Sequence, residues 1–119
     1  VAAAAGASRR SAVVDEDVIF RVESVLGVKV TLTKATWDDI CHRKHRNMGG
    51  RLAEVQMAVS NPDEIRRSKS NDLAYLYYRV QGSDRFICVV THATRPHEAT
   101  VATAYTSTRV KPGELVWPT

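Results

Sequence analysis

The sequence has few of the features that define specialised protein classes. It contains two cysteines among 119 residues, and none of its apolar runs approaches the roughly 20 residues that cross a bilayer. Two cysteines are too few for a disulfide scaffold, and they are not spaced as metal ligands. Internal repeats and an HExxH motif are also absent. We therefore expect a soluble globular domain without a membrane span.

The first residues differ in composition from the rest of the chain. The opening VAAAAGASRR is small, polar and basic, and it lacks the apolar centre of a secretory signal. We interpret residues 1–17 as a flexible linker or a cloning remnant. Residues 18–119 are long enough for one modest hydrophobic core, and we interpret them as a single domain excised from a larger protein.

The chain is basic, with 17 lysines and arginines against 13 aspartates and glutamates, which gives a net charge of +4. Much of this charge lies in three clusters: Arg43-Lys44-His45-Arg46, Arg66-Arg67-Ser68-Lys69, and Arg109 with Lys111. Clustered cations are typical of proteins that bind a polyanion. Charge by itself is equally consistent with a role in solubility.

The first half of the chain is expected to form a hairpin and two helices. Apolar and β-branched residues predict a hairpin from residues 18–23 and 28–32. A helix should begin between residues 33 and 37 and end near Arg46, and a second helix should end before Pro62. The predicted apolar faces of the two helices hold Trp37, Ile40 and Cys41, and Leu52, Val55 and Val59.

Beyond Pro62 the apolar period changes to two, which indicates β-strands. The predicted strands are 65–69, 73–80, 85–91 and 99–106, with an edge strand in the tail 111–117. Because the connections are short, neighbouring strands should be antiparallel. We therefore predict an α+β fold with two N-terminal helices packed on one face of a four- to five-stranded antiparallel β-sheet.

The alternation within two of these strands predicts which side chains share a face. Small residues permit close approach of a helix, so Ala102 and Ala104 are expected to face the helices. The residues expected on the other, uncovered face are Tyr77, Arg79, Thr103 and Tyr105.

The four histidines raise the possibility of a zinc site. His42 and His45 are three residues apart on the first predicted helix, and His92 and His97 lie in or near a strand connection. A helical wheel separates the first pair by about 60°, and no carboxylate motif accompanies them. We predict no metal and no cofactor, and keep a histidine-bound metal site as a third alternative.

Cleavage of RNA by its own 2′-hydroxyl is a reaction that these residue types suit. The reaction needs a base, an acid and cations around the phosphate; histidine serves the first two because its reference pKa is about 6.5. Arginine serves the third because its planar fork matches phosphate oxygens. The residues expected to converge on the uncovered face are His45, Arg79, Thr103 and Tyr105. Each of them, taken singly, is also consistent with a structural role.

Several residues are predicted to bind RNA rather than to cleave it. They are Lys44, Arg46, Arg66, Arg67, Lys69 and Tyr77. Lysine and arginine would contact phosphates, and the tyrosine would stack on a base.

A series of short motifs resembles a known family of ribonucleases. In chain order the motifs are Trp37-x-x-Ile40-x-x-x-x-His45-x-x-Met48, Asn61-Pro62-Asp63, Tyr77-Tyr78-Arg79, Ile87-Cys88-Val89-Val90 and Val101-Ala102-Thr103-Ala104-Tyr105. Over residues 30–117 the chain resembles the phage and polymorphic-toxin branch of the barnase/EndoU/colicin/RelE-like (BECR) ribonucleases. The resemblance implies a metal-independent endoribonuclease site at His45, Arg79, Thr103 and Tyr105.

The resemblance also carries one departure and several implications for biology. Family members often have a second histidine where this chain has Asp39, so His42 is a candidate substitute. The implied protein is a C-terminal toxin domain of a larger delivery or phage-associated protein, which cleaves RNA such as tRNA in the cytoplasm of a target cell. An acidic immunity protein or antitoxin would be its partner. A non-catalytic RNA- or partner-binding module on the same fold remains the alternative.

Overall fold

The computed structural model describes residues 17–118, which form an α+β fold around one seven-stranded sheet. The strands are β1 (Val18–Glu23), β2 (Lys29–Thr33), β3 (Glu64–Ser68), β4 (Ala74–Val80), β5 (Phe86–Arg95), β6 (Glu98–Ser107) and β7 (Gly113–Trp117). Their order is β1-β2-β6-β5-β4-β3-β7, and every neighbouring pair is antiparallel except β2 and β6. None of the helices in residues 17–118 is long and apolar enough to cross a membrane.

This sheet corrects the predicted architecture. The expected four- to five-stranded antiparallel sheet with two N-terminal helices is wrong, because the sheet has seven strands and is mixed, and because the hairpin that precedes the helices is part of it. The predicted hairpin exists as β1 and β2, and the predicted tail strand exists as β7 at the edge beside β3. What local patterns did not predict is where the hairpin docks: β2 joins the sheet through a parallel pairing with β6.

The helical segments lie between β2 and β3. They are α1 (Lys34–Asp39), a π-helical turn (Ile40–Lys44), a 3₁₀ turn (Arg46–Met48) and α2 (Leu52–Ser60). Thr33 caps α1, since its Oγ1 accepts a hydrogen bond of 3.3 Å from the Thr36 amide. The π-helical turn ends with the His45 amide donating to the Ile40 carbonyl, five residues earlier, at 2.7 Å.

The two faces of the sheet carry different cores. On the helix face, buried side chains of the sheet pack with α1, α2 and the turns between them; this larger core includes Leu32, Ile40, Met48, Val55, Val59, Tyr77, Ile87, Val89 and Ala104. On the opposite face, a smaller cluster consists of Leu76, Tyr78 and Cys88. Val110 packs on this second cluster from residues 108–112, the crossover segment that links β6 to β7.

A β-bulge in β6 explains one error in the predicted faces. Val90 pairs with Thr103 but Thr91 pairs with Val101, so Ala102 is an extra residue in the ladder. Because of this extra residue, Val101 and Ala104 both lie on the helix face, where both are buried. Ala102 is exposed, and the prediction that it packs against the helices is wrong.

The burial of Ile40 allows a test of how the helical segment packs. Ile40 is fully buried, so Ile40→Ala should lower the free energy of unfolding by about 2–5 kcal/mol, measured by urea denaturation. Met57 in α2 is 42% exposed, and Met57→Ala should change it by less than about 0.5 kcal/mol. Equal effects of the two substitutions would contradict this packing.

Candidate functional site

The helical segment occupies an edge of the sheet that the strands leave open. β2 pairs with β6 only at Glu98, Ala99 and Thr100, and the chain then turns into α1. Among the described strands, none continues this pairing along the second half of β6. The 3₁₀ turn lies against this stretch, where the Asn47 side-chain amide donates to Thr106 Oγ1 at 2.9 Å.

This placement brings His45 to the side chain of Tyr105. The two ring centroids are 5.5 Å apart and the rings are tilted by 36°. His45 directly follows the π-helical turn, and its backbone leaves helical geometry at φ −142° and ψ 84°. Insertions of this kind are frequent at functional sites because they redirect a side chain from the regular helical spacing. His45 is half-buried, so part of its imidazole remains accessible.

Lys111 contacts the same tyrosine ring from the crossover segment. Its Nζ lies 5.3 Å from the Tyr105 centroid, which is within the range of a cation–π interaction. The backbone at Lys111 is anchored because its amide donates to the Tyr78 hydroxyl at 2.9 Å. The imidazole of His45 and the ammonium of Lys111 therefore both contact the ring of Tyr105. We call these three residues the His45–Tyr105–Lys111 cluster.

The tyrosine hydroxyl of this cluster is buried rather than presented to a ligand. Tyr105 OH and Thr103 Oγ1 have no hydrogen-bond partner among residues 17–118. Burial, together with the nearby Cys88 thiol and Tyr78 hydroxyl, raises the pKa of Tyr105 well above its usual range, although neither neighbour has acceptable hydrogen-bond geometry to it. Tyr105 therefore stays protonated near neutral pH and acts through its ring.

The Cys88 thiol and the Tyr78 hydroxyl are also held in their neutral forms. Burial raises the pKa of Cys88 to about 11 and that of Tyr78 to about 12. A thiol is nucleophilic only as the thiolate, so Cys88 does not act as a nucleophile near neutral pH. The cluster therefore offers the imidazole and the ammonium as its chemically active groups.

Two predicted site residues lie on the wrong face for the predicted convergence. Tyr77 pairs with Val89, which pairs with Ala104, so Tyr77 lies on the helix face. It is 1% exposed, and the prediction that it stacks on a base is wrong. Arg79 is on the same face, and its Nη1 donates to the Asn61 carbonyl at the end of α2 at 2.6 Å.

The prediction that Arg79 joins Thr103 and Tyr105 on one face is therefore also wrong. The reason is register: Arg79 lies opposite Ile87, which lies opposite Thr106, one residue beyond Tyr105. A one-residue offset moves a side chain to the other face. Of the four residues predicted to converge, the structure brings together His45 and Tyr105, with Thr103 two residues away on the face of Tyr105.

Several of the predicted RNA-binding cations are engaged within the protein. Arg66 pairs with Glu64, and Arg67 pairs with Glu114. Lys44 lies 3.6 Å from Asp39, which also receives two hydrogen bonds from Arg43. The Arg43 guanidinium lowers the pKa of Asp39, so Asp39 is a charged, ion-paired carboxylate on the helix surface. The exposed residues among the predicted RNA-binding cations are Lys44, Arg46 and Lys69, and the predicted catalytic residue His42 is exposed as well.

The remaining histidines lie on β5 and in the turn that follows it. His92 is an exposed residue of β5, and His97 occupies the β5–β6 turn with a positive φ of 66°. Within residues 17–118 there is no group of three or more histidine, cysteine, aspartate or glutamate side chains that could hold a metal ion.

Lys111 is the site residue that sequence reasoning missed. The sequence placed it in a basic cluster but gave it no role. A signal was present, because a tail strand at the far edge of the sheet requires its connection from β6 to cross one face. In the structure that connection brings Lys111 over the face that carries Tyr105.

Comparisons with known proteins do not identify the chain: no protein-family model, no curated protein and no solved structure matches it.

The two buried tyrosines permit a matched test of the hydroxyl assignments. Tyr105→Phe removes an unpartnered hydroxyl, so the free energy of unfolding should stay constant or rise by about 1 kcal/mol. Tyr78→Phe leaves the Lys111 amide without its acceptor and should lower it by about 1–2 kcal/mol. Urea denaturation measures both, and an equal loss in Tyr105→Phe would show that its hydroxyl has a partner.

Proposed function

We propose that this domain is a metal-independent ribonuclease whose site is the His45–Tyr105–Lys111 cluster. The observation that carries the proposal is the contact of one imidazole and one ammonium with the same tyrosine ring on an accessible edge of the sheet. A proton-transfer group beside a cation suits phosphoryl-transfer reactions in which charge develops on the phosphate. Attack of an RNA 2′-hydroxyl on the adjacent phosphate is such a reaction.

In the proposed reaction the 2′-oxygen bonds to phosphorus and the bond from phosphorus to the 5′-oxygen breaks. The products are a 2′,3′-cyclic phosphate and a free 5′-hydroxyl. His45 takes the proton from the 2′-oxygen, and His42, exposed on the preceding π-helical turn, is our candidate to supply the proton that the 5′-oxygen gains. Lys111 stabilises the negative charge that develops on the phosphate oxygens.

This assignment replaces one predicted role and redefines another. Lys111 takes the role of the phosphate-neutralising cation that the sequence had suggested for Arg79, because Arg79 is bound to the end of α2 on the other face. Tyr105 orients the imidazole through ring contact and exchanges no proton, because its hydroxyl is buried. Thr103 lies beside it on the same strand, with a hydroxyl that is equally buried.

The biological setting of the proposal rests on the resemblance to the BECR ribonucleases and on the net charge of +4. We propose a toxin domain that a secreted or phage-associated carrier delivers, and that cleaves RNA such as tRNA in the cytoplasm of the recipient. An acidic immunity protein or antitoxin would neutralise it by covering the basic site.

A non-catalytic RNA-binding module is the second candidate. The observation that favours it is the presence of one imidazole, rather than two, against the tyrosine ring. The position where the family often has its other histidine holds Asp39, which is paired with Arg43. Such a domain would bind RNA through the same surface and leave it intact.

Removal of His45 tests the catalytic proposal. His45→Ala should reduce cleavage of total RNA by about 10²–10⁴-fold in excess chelator, because it removes the proton-transfer group. His97→Asn is the matched control, since it removes an exposed imidazole from the β5–β6 turn, at the opposite end of β6 from Tyr105, and should leave the rate unchanged. Products are resolved on a denaturing gel.

The same experiment separates the alternatives. Full activity of the His45→Ala variant would remove this residue from the site. Intact RNA that shifts on a native gel with the unmodified protein would indicate the binding module. Activity that chelator abolishes and added zinc restores would indicate a metal site instead.

A further inference from the structure

A concave site adjoins the cluster on the same face of the sheet. The crossover segment and the β3–β4 turn border an open cavity of about 310 Å³. Its polar lining comes from Lys69, Lys111, Ser68 and Ser70, and its apolar lining includes Leu76 and Val90. The cavity is therefore built by two segments from distant parts of the sequence, and both bring a lysine to it.

The chemistry of this lining is that of an anion site. No carboxylate lines the cavity. None of the ion pairs within residues 17–118 involves Lys69. The Lys111 ammonium contacts the aromatic ring of Tyr105. A neighbouring depression that shares Ser68 and Lys69 is lined by two acidic residues, Asp72 and Glu114, and Glu114 is paired with Arg67.

The two serines add hydrogen-bond donors to the two charges. Ser68 Oγ and Ser70 Oγ are 3.3 Å apart, and the Ser70 amide donates to Ser68 Oγ at 3.3 Å. These hydroxyls can each donate to an anion oxygen, and the turn holds them close together. Two ammonium groups and two hydroxyls suit an anion with several oxygens, of which phosphate is the biological example.

Lys111 connects this cavity to the candidate active site. Its side chain contacts Tyr105 and also lines the cavity, and its backbone is held by the Tyr78 hydroxyl. We propose that the cavity is a phosphate subsite that holds an RNA phosphate next to the one that is cleaved, with Lys69 as its principal cation. The geometry of the cavity supports the binding of an anion there. That this anion is an RNA phosphate rests on the proposed ribonuclease function.

Inorganic phosphate tests the subsite without any RNA. In ¹⁵N-labelled protein at constant ionic strength, the amide signals of Lys69, Ser70 and Lys111 should shift in a saturable way as phosphate is added. Lys69→Ala should weaken the apparent affinity about tenfold, the loss expected for one charge-assisted contact. Lys34→Ala, which removes an exposed lysine at the start of α1, is the control and should leave the affinity unchanged. Shifts spread over all lysines, or an affinity that Lys69→Ala does not change, would overturn the subsite.

RNA substrates of different length then test its role. A dinucleotide carries only the phosphate that is cleaved, so Lys69→Ala should affect its cleavage much less than the cleavage of a longer RNA. With an oligonucleotide of six residues, Lys69→Ala should raise KM about tenfold and leave kcat nearly constant, because the lost contact is made equally in the ground and transition states. An equal effect on both substrates would overturn the proposal.

These two experiments separate the subsite from the proposed function. If the unmodified protein cleaves no RNA, the ribonuclease proposal fails. The phosphate titration still shows whether the cavity binds phosphate. If cleavage depends on His45 but phosphate does not bind at Lys69, the subsite fails and the ribonuclease proposal remains.

Discussion

The short parallel pairing of β2 with β6 determines where the candidate site lies. Three residue pairs join these strands, and the chain leaves β2 at once for α1. Because the pairing ends at Thr100, the helical segment rather than a strand covers the rest of this edge of β6. Thr33 begins the helix at that point, and the π-helical turn ends it with His45 beside Tyr105. A longer parallel pairing would have displaced the histidine from the edge.

The two faces of the sheet differ in how completely their polar groups are satisfied. The helix face holds the larger apolar core, including fully buried Ile40, Ile87 and Val89. The opposite face holds a smaller cluster in which the Tyr105 hydroxyl has no partner among the described residues. A buried hydroxyl without a partner costs stability, typically about 1–3 kcal/mol. Proteins tolerate such a cost at functional sites, which is consistent with a site on this face.

The elements of this fold could be predicted more readily than their arrangement. The period of apolar residues located the helices and the strands, and it located the buried positions Ile40, Val55 and Val59. The docking of the hairpin depended on a contact between residues about 70 positions apart, which no local pattern encodes. The sequence placed His45 on the first predicted helix, whereas in the structure His45 follows the π-helical turn with non-helical backbone angles, and its ring reaches the sheet edge.

The site residues that were predicted wrongly share one physical cause. Ala102 was misplaced by a β-bulge, and Arg79 was misplaced because the registers between strands set its face. Alternation within a strand is a local property, whereas register between strands depends on the whole sheet. Lys111 was missed for a related reason, since its position follows from the path of the crossover segment over three intervening strands.

The position of the crossover segment has a consequence for the order in which the site is made during translation. A nascent chain that has been synthesised as far as Ser107 already contains His45, Tyr105 and six of the seven strands. It lacks the lysine beside the tyrosine ring and also β7, which pairs with β3 and anchors the far end of the crossover segment. The candidate site is therefore completed only after Trp117 has left the ribosome. Until then, the nascent chain carries the histidine of the candidate site without the lysine that contacts the same tyrosine ring.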